Sequence, residues 1–311
     1  MYFLVLLAGG LGLLTGGLFV MRRGLRQLFS PALAGLLGRL TLTPWRGLLA
    51  GAAGAALLQS STALTLATIG LVSAECLTFY QGLGLVLGAN IGTCSTVGLL
   101  AVAPHRQDFL PWLAVAFLAA ALSRRLRPVV LGAGGLLAMF AGVRLLADAL
   151  ACFSEADAVV RSLAAAGLNP LAGIGSGVVL TFAFQSSSAA TGLLMALAGD
   201  GTLDPVAAAY GVYGNNLGSC LSSLAVGSAA PLAAKRVAMA HIVLNLCGVL
   251  AFLPATGLLV RAAGAVTADA AAQVAAMHTI FNLVSSLAVL PFAHGFASFV
   301  CRLVPGPGDG G

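Results

Sequence analysis

Apolar residues run along this chain in long blocks rather than at alternating or helical-face spacing. The blocks cover about residues 1–21, 28–42, 47–74, 79–103, 109–123, 128–150, 171–198, 205–228, 237–260 and 272–300. Several are 20 residues or longer, enough for a helix to cross a hydrocarbon layer of about 30 Å. Blocks 28–42 and 109–123 are shorter. The chain after Pro305 is rich in Gly and Pro and predicts an unstructured tail.

Two of the long blocks are interrupted by polar runs, and the interruptions match. Gln59-Ser60-Ser61-Thr62-Ala63 returns as Gln185-Ser186-Ser187-Ser188-Ala189, displaced by 126 positions (185 − 59 = 126). The same displacement carries Gly88-Ala89-Asn90-Ile91-Gly92-Thr93-Cys94 onto Gly214-Asn215-Asn216-Leu217-Gly218-Ser219-Cys220. Pro44 and Pro170, Gly47 and Gly173, and Gly51 and Gly177 are equivalent too. Proline suits the start of a helix, and small residues let helices approach closely in lipid. Each of 47–74 and 171–198 therefore reads as helix, polar tip, helix. The two glycines of each Gly-x-Asn-x-Gly run lower helix propensity in mid-span, so an unwound turn is expected in 79–103 and in 205–228.

Charge gives orientation. Arg22 to Arg26, Arg124 to Arg127 and Lys235-Arg236 form short basic clusters between apolar blocks, as cytoplasmic loops do. Residues 151–168 hold Glu155 and Asp157 with one Arg, which suits the outside. The clusters fall on one side only if 47–74 and 171–198 enter and leave by the same face. Three crossings per unit then force the second unit to be inverted. The fold class expected is an all-α polytopic membrane protein. It has two inverted-topology repeats, each with a re-entrant helical hairpin and a broken helix, plus a C-terminal helix. The repeats divide as 1–126 and 127–252, and 253–311 holds the last helix and tail. No positive charge precedes the first apolar block, unlike a signal peptide. The N-terminus is expected outside and the C-terminus in the cytoplasm, in a cell (inner) membrane.

Composition agrees: 59% of the 311 residues are hydrophobic and 8% charged, against about a quarter charged in soluble domains. The net charge of +6 sits in the topology clusters, which argues against nucleic-acid binding. Six cysteines without a CxxC pair give no metal or disulfide framework. His241 and Asn245, like His278 and Asn282, are spaced to share one helix face, with interhelical hydrogen bonding as the expected role.

Neither polar run contains Asp, Glu or Arg. Hydroxyls and freed N–H groups at a helix break suit an oxyanion, while hydroxyl, amide and carbonyl oxygens suit a hard cation such as Na+. A neutral site in a low dielectric favours the two together, since an isolated buried charge is costly. A membrane phosphatase acting on a lipid diphosphate would want carboxylates or a metal in the site. No enzyme and no cofactor is expected. Coupled transport of another small anion stays open on the residues alone.

These motifs resemble the sodium-dependent inorganic phosphate cotransporter family, the type II symporters and their bacterial relatives. The resemblance extends to Arg236-x-Ala238-x-x-His241-x-x-x-Asn245-x-x-Gly248 and His278-Thr279-x-Phe281-Asn282, and covers about residues 45–292. It implies Na+-coupled symport of inorganic phosphate by alternating access. It further implies that Ser60, Ser61, Thr62, Ser186, Ser187 and Ser188 hold phosphate. Gln59, Gln185, Asn90, Thr93, Asn216 and Ser219 would complete the sodium sites. Thr62 stands where Ser is common, and Asn215 and Ser219 replace Ala and Thr of the first copy. The partners implied are inorganic phosphate, Na+ and membrane lipid.

Overall fold

A computed structural model describes residues 4–13, 40–73, 75–102, 126–151, 169–184, 186–228 and 230–306, with isolated positions between 16 and 27 and between 111 and 118. Most of the expected segments 28–42 and 109–123, and the loop 151–168, lie outside the described residues. Those described are helical, without a strand among them.

The helices are α1 (Leu4–Leu13), α2 (Pro44–Leu58), α3 (Ser61–Ser73), α4 (Phe79–Ala101), α5 (Arg127–Ala151), α6 (Pro170–Phe184), α7 (Ser187–Gly199), α8 (Pro205–Ser228), α9 (Leu232–Phe252), α10 (Thr256–Val266), α11 (Ala270–Val289) and α12 (Ala293–Leu303). Among the described residues, α4, α9 and the stretch Ala270–Leu303 are long and apolar enough to cross a membrane. At 1.5 Å per residue the 23 residues of α4 reach about 35 Å.

The displacement seen in the sequence is built into the helices. Pro44, Ser61 and Phe79 open α2, α3 and α4, and the residues 126 positions later open α6, α7 and α8. Local chemistry explains the starts. Thr43 accepts from Arg46 N ahead of Pro44, and Thr78 with Gln81 forms a capping box. The breaks fall at the polar runs. Gln59 has φ 51, in the left-handed region that ends a helix. Ser60 and Ser186 then open the next helices by accepting from Ala63 N and Ala189 N.

Two expectations are corrected. The Gly-x-Asn-x-Gly turns do not unwind: α4 and α8 run unbroken through residues 88–92 and 214–218. The glycines instead admit a neighbouring backbone. A Cβ on Gly88 would lie 2.8 Å from Gly51 Cα, and one on Gly214 would lie 2.8 Å from Gly177 Cα. Close packing of α2 on α4 and α6 on α8 outweighs a helix-propensity cost of about 1 kcal/mol per Gly. An unwound turn would also leave peptide groups unbonded in an apolar surrounding. The second correction concerns block 237–260. Its helix starts at Leu232 and stops at Phe252, and α10 begins after a turn holding Pro254. The C-terminal helix is likewise interrupted at Leu290–Phe292, around Pro291.

Two apolar clusters make the core. One joins α2, α3 and α4 with α9 and the 290–300 region, through Leu64, Ile69, Leu87, Val237 and Leu244. The other joins α6 to α8 with α10 and α11, through Leu194, Met195, Tyr213, Met277 and Phe281. Each hairpin's second helix also crosses over, α3 packing on α8 and α7 on α4.

Candidate functional site

The two helix breaks lie inside this core rather than on its surface. Gln59, Ser60, Ser61, Ser186, Ser187 and Ser188 are all buried, between 2% and 7% exposed. Thr62 is half-buried. Gln185 lies outside the described residues. Because α3 touches α4 and α8, and α7 touches α8 and α4, both breaks are flanked by the same two long helices.

Gln59 is fixed at both ends of its amide. Nε2 donates to Ala56 O at 2.5 Å, closing the helix end, and Oε1 accepts from Thr96 Oγ1 at 2.6 Å. Thr96 is a partner that motif reading did not single out, although it lies on α4 one turn past Gly92. Ser60 and Ser186 spend an oxygen lone pair on capping, which leaves each hydroxyl proton available. Ser61, Ser187 and Ser188 have no protein hydrogen bond to their hydroxyls among the described residues. Their helices, α3 and α7, present N-terminal peptide N–H groups and the positive dipole end at the breaks.

Asn90, Thr93, Asn216 and Ser219 are buried on α4 and α8. Asn90 Nδ2 donates to Asn245 Oδ1 at 3.2 Å, joining α4 to α9. Asn216 Nδ2 turns back to Val212 O at 2.9 Å. Thr93 and Ser219 donate to carbonyls of their own helices, Ala89 O and Asn216 O. Asn215 bridges Thr181 of α6 at 3.2 Å and Thr191 of α7 at 3.0 Å. That residue looked like a departure from the repeat, and it ties the second hairpin to α8. The expected interhelical bonding of the His-x-x-x-Asn faces is seen at Asn245, and at His241, whose Nδ1 lies 2.9 Å from Ser223 Oγ.

No Asp, Glu, Lys or Arg is among the buried side chains of the described residues. No group of three or more His, Cys, Asp or Glu that could hold a metal ion occurs among them either. The arrangement offers hydroxyl and N–H donors beside amide and hydroxyl oxygens, in a region that holds no fixed countercharge.

The model of the Na+/Pi-cotransporter family matches this chain twice, over residues 13–148 and 137–282. The chain belongs to that family. Its relatives include the uncharacterized protein YqeW of Bacillus subtilis (strain 168), 29% identical over 244 residues, or 76% of this chain and 78% of YqeW. YjbB of Escherichia coli (strain K12), named as a proposed inorganic phosphate export protein, is 30% identical over 271 residues. That match takes in 84% of this chain and 48% of YjbB, and the Salmonella typhimurium YjbB matches over 80% and 46%. This chain thus spans about half the length of the YjbB proteins. No solved structure matches it.

Proposed function

We propose that this cotransporter-family protein carries inorganic phosphate across the inner membrane together with Na+. Alternating access would occur at the neutral Gln/Ser/Thr site. The observation that carries the reading is the pair of buried helix breaks at residues 59–61 and 186–188, each with capped N–H groups and hydroxyls and no charged side chain. Phosphate needs many donors, and Ser60, Ser61, Thr62, Ser186, Ser187 and Ser188 supply them beside the N-termini of α3 and α7. Gln59, Gln185, Asn90, Thr93, Asn216 and Ser219 supply oxygens for Na+. A site without fixed cations favours anion and Na+ binding together, because either ion alone would be desolvated without compensation.

On this reading residues 1–126 and 127–252 form inverted repeats, α2–α3 and α6–α7 are re-entrant hairpins, and one repeat rocks against the other. Orientation has a structural support. Arg236 Nε donates to Val304 O at 3.1 Å, so the start of α9 and the end of α12 share one face. The basic pair Lys235-Arg236 favours the cytoplasm for that face, and the proposed orientation puts the C-terminus there and the N-terminus outside. Purified protein in liposomes should accumulate labelled phosphate when an inward Na+ gradient is imposed. Uptake that ignores Na+, or that sulfate or a carboxylate outcompetes, would overturn the assignment. The export named for YjbB is a second reading of direction. Outward phosphate movement from loaded vesicles, driven by an outward Na+ gradient, measures it on the same protein.

A further inference from the structure

Among the described residues several buried polar atoms lack a partner, among them Thr65 Oγ1, His278 Nδ1 and Asn282 Oδ1. An atom of this kind calls for an explanation, and the repeat supplies one for the first two. In the second copy Thr191, the equivalent of Thr65, meets Asn215, but the first copy has Ala89 in place of Asn215. His241 meets Ser223, but Val97 stands where His278 would need a serine. Both orphans follow from substitutions between the copies.

Asn282 does not. α11 lies beyond the two 126-residue repeats, yet it packs on them as α9 does, with the copies exchanged: α9 packs on α3, α8 and α4, and α11 packs on α7, α4 and α8. Their His-x-x-x-Asn faces correspond, Asn245 to Asn282, and the apolar neighbours correspond as well. Leu87 and Leu244 are buried in one cluster, while Tyr213 and Phe281 in the other have ring centroids 5.4 Å apart. The donor is conserved across the repeat, as Asn90 and Asn216. Even so, Asn90 donates to Asn245, while Asn216 turns to Val212 O and Asn282 Oδ1 stays unpartnered. The same four amides therefore hold one bond closed and its counterpart open. The four amides themselves are the same residues in matching places, and they differ in conformation.

We propose that Asn245 and Asn282 are positioning residues that hold the two ends of a reciprocal latch. In the present state Asn90–Asn245 is closed. In the opposite-facing state Asn216 donates to Asn282 and the first bond opens. The inference rests on the inverted-repeat transport reading, in which the two halves exchange conformations. Each bond would bias one state, and it would orient an amide whose oxygen is proposed to face Na+.

The test is the phosphate KM measured separately at the two faces of liposomes holding the protein in one orientation. Asn245→Leu weakens the present state and Asn282→Leu weakens the other. The ratio of the two KM values should therefore move in opposite directions, each by roughly fivefold for one hydrogen bond. The double variant should return the ratio toward wild type. A merely structural role would lower kcat or yield and leave the ratio alone. Shifts in the same direction, or no shift, overturn the latch. Asn282→Leu removes an unpartnered acceptor and is expected to fold, so its ratio decides the matter even if Asn245→Leu fails to fold. Wild-type protein that moves no phosphate would instead refute the transport reading. The latch would then be read by cysteine cross-linking in a background without native cysteines. Disulfides in both N90C/N245C and N216C/N282C support it, and closure of the first pair alone overturns it.

Discussion

Asn215→Ala removes one side chain and loosens three helices. Its amide lies 3.2 Å from Thr181 Oγ1 and 3.0 Å from Thr191 Oγ1, so it hydrogen-bonds from α8 to both arms of the second hairpin. Thr181 is 3% exposed and Thr191 fully buried. Thr191 keeps a second bond, its hydroxyl donating to Ser187 O at 2.8 Å, so it loses one bond without becoming an orphan. Thr181 becomes an orphan. An orphaned buried hydroxyl costs about 1–3 kcal/mol and a lost neutral bond about 1 kcal/mol. Bonds between membrane helices are measured at the lower end, about 0.6 kcal/mol on average. The expected loss is about 2–3 kcal/mol. Unfolding of the purified protein by denaturing detergent, followed by circular dichroism, measures it. A cycle with Thr181→Val isolates the pair. In the Thr181→Val background Asn215→Ala should cost about 1 kcal/mol less. A loss below about 0.5 kcal/mol in the single variant, in the range of surface substitutions, would show that Asn215 does not pin the hairpin.

Further outcomes follow from the same geometry. Thr65→Val, at the first-copy position where the hydroxyl is buried without a partner, should be neutral or stabilising in the same unfolding experiment. Gly88→Ala would put a Cβ 2.6 Å from Ala52 N and 2.8 Å from Gly51 Cα. It should cost about 1–3 kcal/mol or more, whereas Gly98→Ala, with nothing within 4 Å, should gain up to about 1 kcal/mol. Gln59→Ala breaks the bond to Thr96 and Ser187→Ala removes a hydroxyl at the second break. Both should abolish Na+-driven phosphate uptake while the protein still elutes as a folded species, and unchanged KM and kcat would remove these residues from the site.

How far the sequence carried these conclusions depended on whether a position was duplicated. Repetition marked both hairpins. Their second helices start within the polar runs because Ser60 and Ser186 cap them, and Gln59 ends α2; a local rule of that kind is visible without coordinates. The glycine motifs were visible but pointed the wrong way. Propensity says that Gly88 and Gly92 weaken a helix, yet the partner that makes them favourable, the backbone of α2 around Leu48 to Ala56, lies a full element away. Thr96 was hidden for the same reason, since its bond to Gln59 spans 37 residues; Asn245 was legible as an interhelical partner, but not that it would meet Asn90, 155 residues away. What the sequence could not express is a difference between two identical pairs. Asn90 with Asn245 and Asn216 with Asn282 have the same letters in matching places, so every rule that reads letters assigns them one behaviour. Only the hydrogen bonds separate them, one closed and one open. The proposed alternating-access reading asks for matching residues in two arrangements, since on that reading each half takes up the shape of the other.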